Sequence, residues 1–180
     1  SRNRGMNRQE QVMSNAEQLK KKIQYGIQIV TFRLGTENYG VPVAKIREII
    51  RPMSTFPVPG LSEPVSGVIN LRGEIIPVVR MHPVLGIEES PDSEDEERKR
   101  RVIILDVESG GFGFIVDEVW EVVKVSSEEV QPPPEMGGGG LDVEAVIGIV
   151  EIAGKMVICI EPQKLVGGIL NTGNLAIECT

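Results

Sequence analysis

Gly67-Val68-Ile69-Asn70-Leu71-Arg72-Gly73-Glu74-Ile75-Ile76 reads as two apolar arms meeting at Arg72-Gly73. Glycine reaches positive φ without steric cost, so an X-Gly pair between β-branched runs predicts a β-hairpin with a two-residue turn. The same pattern returns 81 residues on as Gly148-Ile149-Val150-Glu151-Ile152-Ala153-Gly154-Lys155-Met156-Val157, with Ala153-Gly154 at the turn. Two copies of one hairpin in a chain of 180 residues point to an internally repeated β protein.

The repeat extends outward from the hairpin. Tyr39-Gly40, followed by Val43, Ile46, Glu48, Ile49 and Ile50, recurs at an offset of 73 as Phe112-Gly113 followed by Val116, Val119, Glu121, Val122 and Val123. One unit runs from Ile29 to Val79 and the other from Val102 to Ile160, the second longer by an insertion at Pro132–Gly140. Short β-branched runs bounded by turn residues predict ten strands: 27–34, 39–43, 46–50, 67–71, 74–79, 102–107, 112–116, 119–125, 145–152 and 155–160. Hairpin loops are expected at Gly35–Asn38 and Glu108–Gly111. The fold class is therefore all-β, with about five strands per unit. A β unit of some fifty residues buries little core alone, so the two units are expected to pack together and leave a groove between them.

Composition narrows the function classes. A net charge of −7 repels phosphate backbones and anionic lipid, which argues against nucleic acid. Seven aromatic residues are too few for the stacking platforms of sugar-binding or single-strand-binding barrels. No apolar run approaches a membrane span and the N-terminus is polar, so neither membrane insertion nor a signal peptide is expected. Cys159, in a strand, and Cys179, near the end, give no disulfide framework, which makes the cytoplasm the expected compartment. Residues 1–24 form a polar tail in which Ser1–Gly5 reads as an expression remnant before Met6. Val12, Ala16, Leu19 and Ile23 have the spacing of a short helix, with a frayed tail the competing reading. The connector Glu88–Arg101, seven acids followed by a basic tetrad, reads as a solvated loop.

Catalytic chemistry finds little to work with. The single histidine, His82, has no nucleophile elbow beside it and reads as a surface-loop residue. Cys159, Cys179 and His82 lack the spacing of zinc ligands, so no metal or other cofactor is expected. Gly137–Gly140 has no following Lys-Ser/Thr and reads as a connector rather than a phosphate loop. The acid pairs Asp117-Glu118 and Glu128-Glu129 fall on adjacent strand positions, which face opposite ways, and read as solvated.

The repeat supplies its own control. Residues shared by both units, such as Gly73 with Gly154, Gly40 with Gly113, and Glu48 with Glu121, are those the fold can demand. Asn70 and Arg72 correspond to Glu151 and Ala153, so the architecture does not require an arginine at that turn. Arg72 is a candidate contact residue, its alternative being an ordinary exposed turn side chain.

The combination Tyr39-Gly40-Val41, Lys45-Ile46-Arg47-Glu48-Ile49, Gly67-Val68-Ile69-Asn70-Leu71-Arg72-Gly73 with Ile76-Pro77-Val78-Val79, Val116-Asp117-Glu118-Val119, and Pro132–Pro134 ahead of the last strand pair resembles the CheW family of chemotaxis coupling proteins. The likeness covers roughly Ile27 to Val166, and Asn-Leu-Arg-Gly is its most specific part. It implies two five-stranded SH3-like β-barrels side by side within a domain spanning 25–166, at about 27–87 and 101–166, with exchange of strands between them left open. Residues 167–180 would then be a tail. It also implies a non-enzymatic scaffold without small-molecule substrate, joining the regulatory domain of the histidine kinase CheA to the cytoplasmic tips of methyl-accepting chemoreceptors and so recruited to membrane arrays. The family carries an acid after its Pro-x-Val strand where this chain has Arg80.

On this reading a receptor hairpin would lie in the groove against Ile50, Asn70, Arg72 and Val122, and the kinase would contact a separate surface around Ile46, Glu48 and Gly67. Other readings are a CheW-like regulatory fragment of a larger kinase or receiver-fused protein, a purely structural module, and, from a different class, a small β-barrel hydrolase using acids in the cleft.

Overall fold

The computed structural model describes residues 26–60, 64–133 and 145–172. Ser1–Gly5, the Val12–Ile23 stripe, Gly137–Gly140 and Cys179 lie outside them. All ten expected strands form: β1 Ile27–Leu34, β2 Glu37–Pro42, β3 Ile46–Ile50, β4 Val65–Leu71, β5 Glu74–Arg80, β6 Arg101–Val107, β7 Gly110–Val116, β8 Glu118–Val125, β9 Val146–Ile152 and β10 Lys155–Ile160. Among the described residues there are also three α-helices: α1 Met81–Leu85, α2 Glu94–Lys99 and α3 Pro162–Thr172.

The strands build two five-stranded sheets, sheet I in the order β8-β1-β2-β10-β9 and sheet II in the order β3-β6-β7-β5-β4. Each sheet draws on both sequence units, so the strands are exchanged. The two sheets share one register: Gly40 lies opposite Cys159 in the parallel β2–β10 pair, as Gly113 lies opposite Val78 in β7–β5. Neither sheet closes as a continuous ladder. Instead, the chain leaving β3 crosses to β4 through an isolated bridge, Phe56–Val68, and the chain leaving β8 crosses to β9 at Gln131–Ile149.

Alternation along the strands divides the apolar residues among three cores. Ile29, Val125, Ile147, Val150, Val157 and Cys159 fill sheet I, and Ile69, Ile76, Val78, Val102 and Ile104 fill sheet II. The largest core lies between the sheets: Phe32, Leu34, Tyr39 and Val41 from sheet I meet Ile103, Leu105, Phe112 and Phe114 from sheet II. Burial pushes the Cys159 thiol up to about 12, so it behaves as a small apolar side chain.

The structure departs from several expectations about the segments between and after the strands. His82 is buried on α1, and its Nε2 lies 2.9 Å from Oδ2 of Asp117, also buried. Asp117 is the residue at which the chain leaves sheet II for sheet I, so it cannot be solvated. Burial by itself would raise its carboxyl. The hydrogen bonds from His82 and from the Gly35 N–H at 2.6 Å, with the nearby charge of Arg33, outweigh that and hold it below the usual carboxylate range. Because the folded value lies below the unfolded one of about 3.9, this contribution is complete above that pH and is lost as pH falls through the folded value. His82→Ala is expected to cost about 1–2 kcal/mol in urea unfolding at neutral pH, since Asp117 keeps the Gly35 N–H and the charge of Arg33 but loses its side-chain hydrogen bond. A loss under ~0.3 kcal/mol in that titration contradicts the clamp.

The connector is likewise not all loop. Ser93 caps α2, its Oγ accepting the Glu96 N–H at 3.1 Å, while the acids fill the first turn and Arg98 and Lys99 the last, as the helix dipole favours. Glu96 in turn pairs with Arg33 of β1 at 2.8 Å and ties the helix to sheet I. At the other end, α3 continues beyond residue 166, where the tail was expected, and buries Leu165, Val166 and Ile169 in the central core.

Candidate functional site

The β4–β5 turn is where sequence and structure converge. Arg72 and Gly73 both have positive φ, 51° and 88°, as a type I′ turn requires. The Asn70 side chain supports it, Oδ1 accepting the Gly73 N–H at 2.9 Å. A long side chain in the left-handed region costs about 1 kcal/mol relative to glycine, yet Arg72 stands there and reaches back to Glu48 of β3, Nη1 to Oε2 2.8 Å. Two residues expected on separate surfaces thus form one ion pair.

Around this pair the other candidates divide. Ile46 and Ile50 are only half exposed and face inward, Ile46 onto the central core and Ile50 onto the sheet II core. Gly67 is buried, and a Cβ there would sit 2.6 Å from the Phe56 carbonyl oxygen, so its first duty is the close approach at the isolated bridge. Val122 is exposed, but on β8 at the edge of sheet I, apart from the sheet II residues. The space between the sheets is occupied by the central core rather than left as an open groove.

The exposed apolar residues that strand logic leaves unexplained are Ile49, Met53, Phe56 and Ile75 on the sheet II side and Trp120, Val122 and Met156 on the sheet I side. They obey the repeat: Ile49 corresponds to Val122 and Ile75 to Met156. Ile75, 60% exposed, adjoins Glu74, whose carboxylate binds Arg47, and Arg47 Nε also donates to Asp106 at 2.7 Å. The Arg47 hydrogen bond holds the Glu74 carboxyl below the usual carboxylate range.

At the matching positions of sheet I, Trp120 replaces Arg47 and Lys155 replaces Glu74. The indole Nε1 donates to Asn38 Oδ1 at 3.1 Å, and the Lys155 ammonium sits 5.0 Å from the ring centroid. A cleft of about 320 Å³ opens beside them, lined among others by Thr31, Glu121, Ile152 and Ala153. Sequence reasoning missed Trp120, although aligning the units at offset 73 places it opposite Arg47. Among the described residues no group of His, Cys, Asp and Glu is arranged to hold a metal ion, and no helix is long and apolar enough to cross a membrane. Arg80, where the resemblance has an acid, pairs with Glu89.

Comparison with known proteins agrees with this architecture. The family model described as CheW-like domain matches residues 28–169. The chemotaxis protein CheW of Treponema pallidum is 34% identical over 138 residues, 77% of this chain and 81% of that protein. That of Rhizobium meliloti is 31% identical over 137 residues, 76% and 84% of the two chains. The crystal structure of the scaffolding protein TtCheW from Thermoanaerobacter tengcongensis superposes with a TM-score of 0.69 at 33% identity, covering 78% of this chain and 87% of that one.

Proposed function

Since the chain belongs to the CheW-like family it is a chemotaxis coupling adaptor, and we propose that it joins the regulatory domain of the histidine kinase CheA to the cytoplasmic tip of a methyl-accepting chemoreceptor. The observation that carries this reading is the Arg72–Glu48 pair, held in a strained turn beside exposed Ile49 and Ile75. The arginine is the one part that the repeat does not share: the matching turn in sheet I has the same backbone and carries Ala153 in its place. Exposed apolar side chains edged by an arginine and a carboxylate have the composition of a protein-binding surface, apolar at its core and polar at its rim.

In this role Arg72, with Asn70 shaping its turn, and the nearby Ile50 bear on the receptor, with Val122 an outlying contact on sheet I. Ile46, Glu48 and Gly67 bear on the kinase. Because Arg72 and Glu48 share one ion pair, the two surfaces adjoin, and a partner that draws Arg72 away alters what the other partner meets at Glu48. The protein carries out no reaction and takes no cofactor. It acts by binding two partners at once, which lets receptor conformation bias the kinase equilibrium and places the adaptor at the receptor array.

Capture of the CheA regulatory domain on an immobilised receptor hairpin tests this: retention is expected only when the adaptor is added. Equal retention without it overturns the proposal. An Ile46 substitution that removes receptor binding and spares kinase binding would reverse the assignment of surfaces.

A further inference from the structure

The two turns that differ between the repeats leave one carboxylate without the partner its twin possesses. Glu48 on β3 is covered by Arg72, whereas Glu121, its equivalent on β8, faces Ala153. The backbones match: Ala153 and Gly154 have φ of 51° and 79°, against 51° and 88° at Arg72 and Gly73. The Glu121 main chain is pinned through Thr31 Oγ1, which donates to its carbonyl at 3.1 Å and accepts its N–H at 3.3 Å. The backbone from which the Glu121 side chain springs is therefore fixed, and the side chain lines the open cleft beside Trp120 where an arginine has room. Lys155, the other charge lining the cleft, is engaged on the Trp120 ring rather than on Glu121. Exposed Val122 and Met156 stand on the flanking strands, as Ile49 and Ile75 do around Arg72.

We propose that this cleft receives an arginine side chain from a protein partner, which completes on Glu121 the pair that Arg72 makes on Glu48. A guanidinium suits the site better than an ammonium, because its planar fork engages a carboxylate through directed donors and stacks against an indole. The incoming residue is flanked by apolar side chains that cover Val122 and Met156. The inference rests on the adaptor reading only for the existence of a protein partner.

The test uses the full chain with Ala153→Arg and with Glu121→Gln. Ala153→Arg supplies the missing side chain from within, at the φ that Arg72 already adopts, and so competes with the partner's arginine for Glu121. Titration calorimetry against the CheA regulatory domain and the receptor hairpin should show one of the two bound about tenfold more weakly by both single variants. Emission from Trp120, the sole tryptophan, should change when that partner binds to the unaltered chain. Unchanged affinities in both variants or a silent Trp120 overturns the proposal while leaving the adaptor reading intact. An unaltered chain that binds neither partner overturns both.

Discussion

Gly67→Ala is expected to lower the stability of the protein by about 3 kcal/mol, the combined cost of backbone strain and forced displacement in a packed site. The added Cβ would stand 2.6 Å from the Phe56 carbonyl oxygen and 3.1 Å from its carbon, at a φ of +149°. The obstacle is backbone, and it cannot swing aside. Phe56 donates its N–H to the Val68 carbonyl at 2.8 Å and accepts the Val68 N–H at 3.0 Å, so moving Phe56 breaks the bridge that folds sheet II back on itself. Gly148 repeats the arrangement in sheet I, where a Cβ would meet the Gln131 carbonyl oxygen at 2.7 Å. Gly73→Ala provides the contrast, since nothing lies within 4 Å of its added carbon and only the positive φ is disturbed, at about 1 kcal/mol. Urea unfolding of the two variants side by side decides the matter. A Gly67→Ala loss no greater than that of Gly73→Ala would remove the close approach as the reason for this glycine.

Arg72→Ala should behave in the opposite way, leaving the fold nearly untouched and weakening receptor binding by roughly 1–3 kcal/mol. The Arg72 side chain is 74% exposed. Ion pairs so placed contribute well under 1 kcal/mol to stability, and the turn loses nothing it needs, because Asn70 still accepts the Gly73 N–H. Receptor affinity by calorimetry together with urea unfolding of the same variant separates the two roles. Unchanged affinity takes Arg72 out of the interface, and a large loss of stability with unchanged affinity makes it a structural residue after all.

The strands were legible because β-branched alternation and X-Gly turns are local signals, and both copies of each hairpin carry them. Strand exchange was not legible, and the repeat itself is the reason. The equivalents β5 and β10 offer β2 nearly the same apolar edge, so local pattern cannot say which of the two pairs with it. Only packing of the central core, where Tyr39 and Val41 meet Phe112 and Phe114, distinguishes the arrangements.

His82 and Asp117 are 35 positions apart, and no periodicity links them. The α2 helix did carry a readable sign, Ser93 three residues before Glu96, but the density of charge masked it. At the candidate site, comparing the units singles out Arg72, since the equivalent turn position in sheet I is Ala153. The same comparison applied to offset 73 would have found Trp120, and applied to Ala153 it would have shown the uncovered Glu121.

Kinase activity measured while this adaptor is titrated into fixed amounts of CheA and receptor tests the coupling role most directly. A protein that works by joining two partners should raise activity to a maximum and then depress it, because surplus copies occupy kinase and receptor in separate incomplete complexes. A monotonic rise to a plateau with no descending limb, or saturable binding of ATP by the isolated chain, would contradict it.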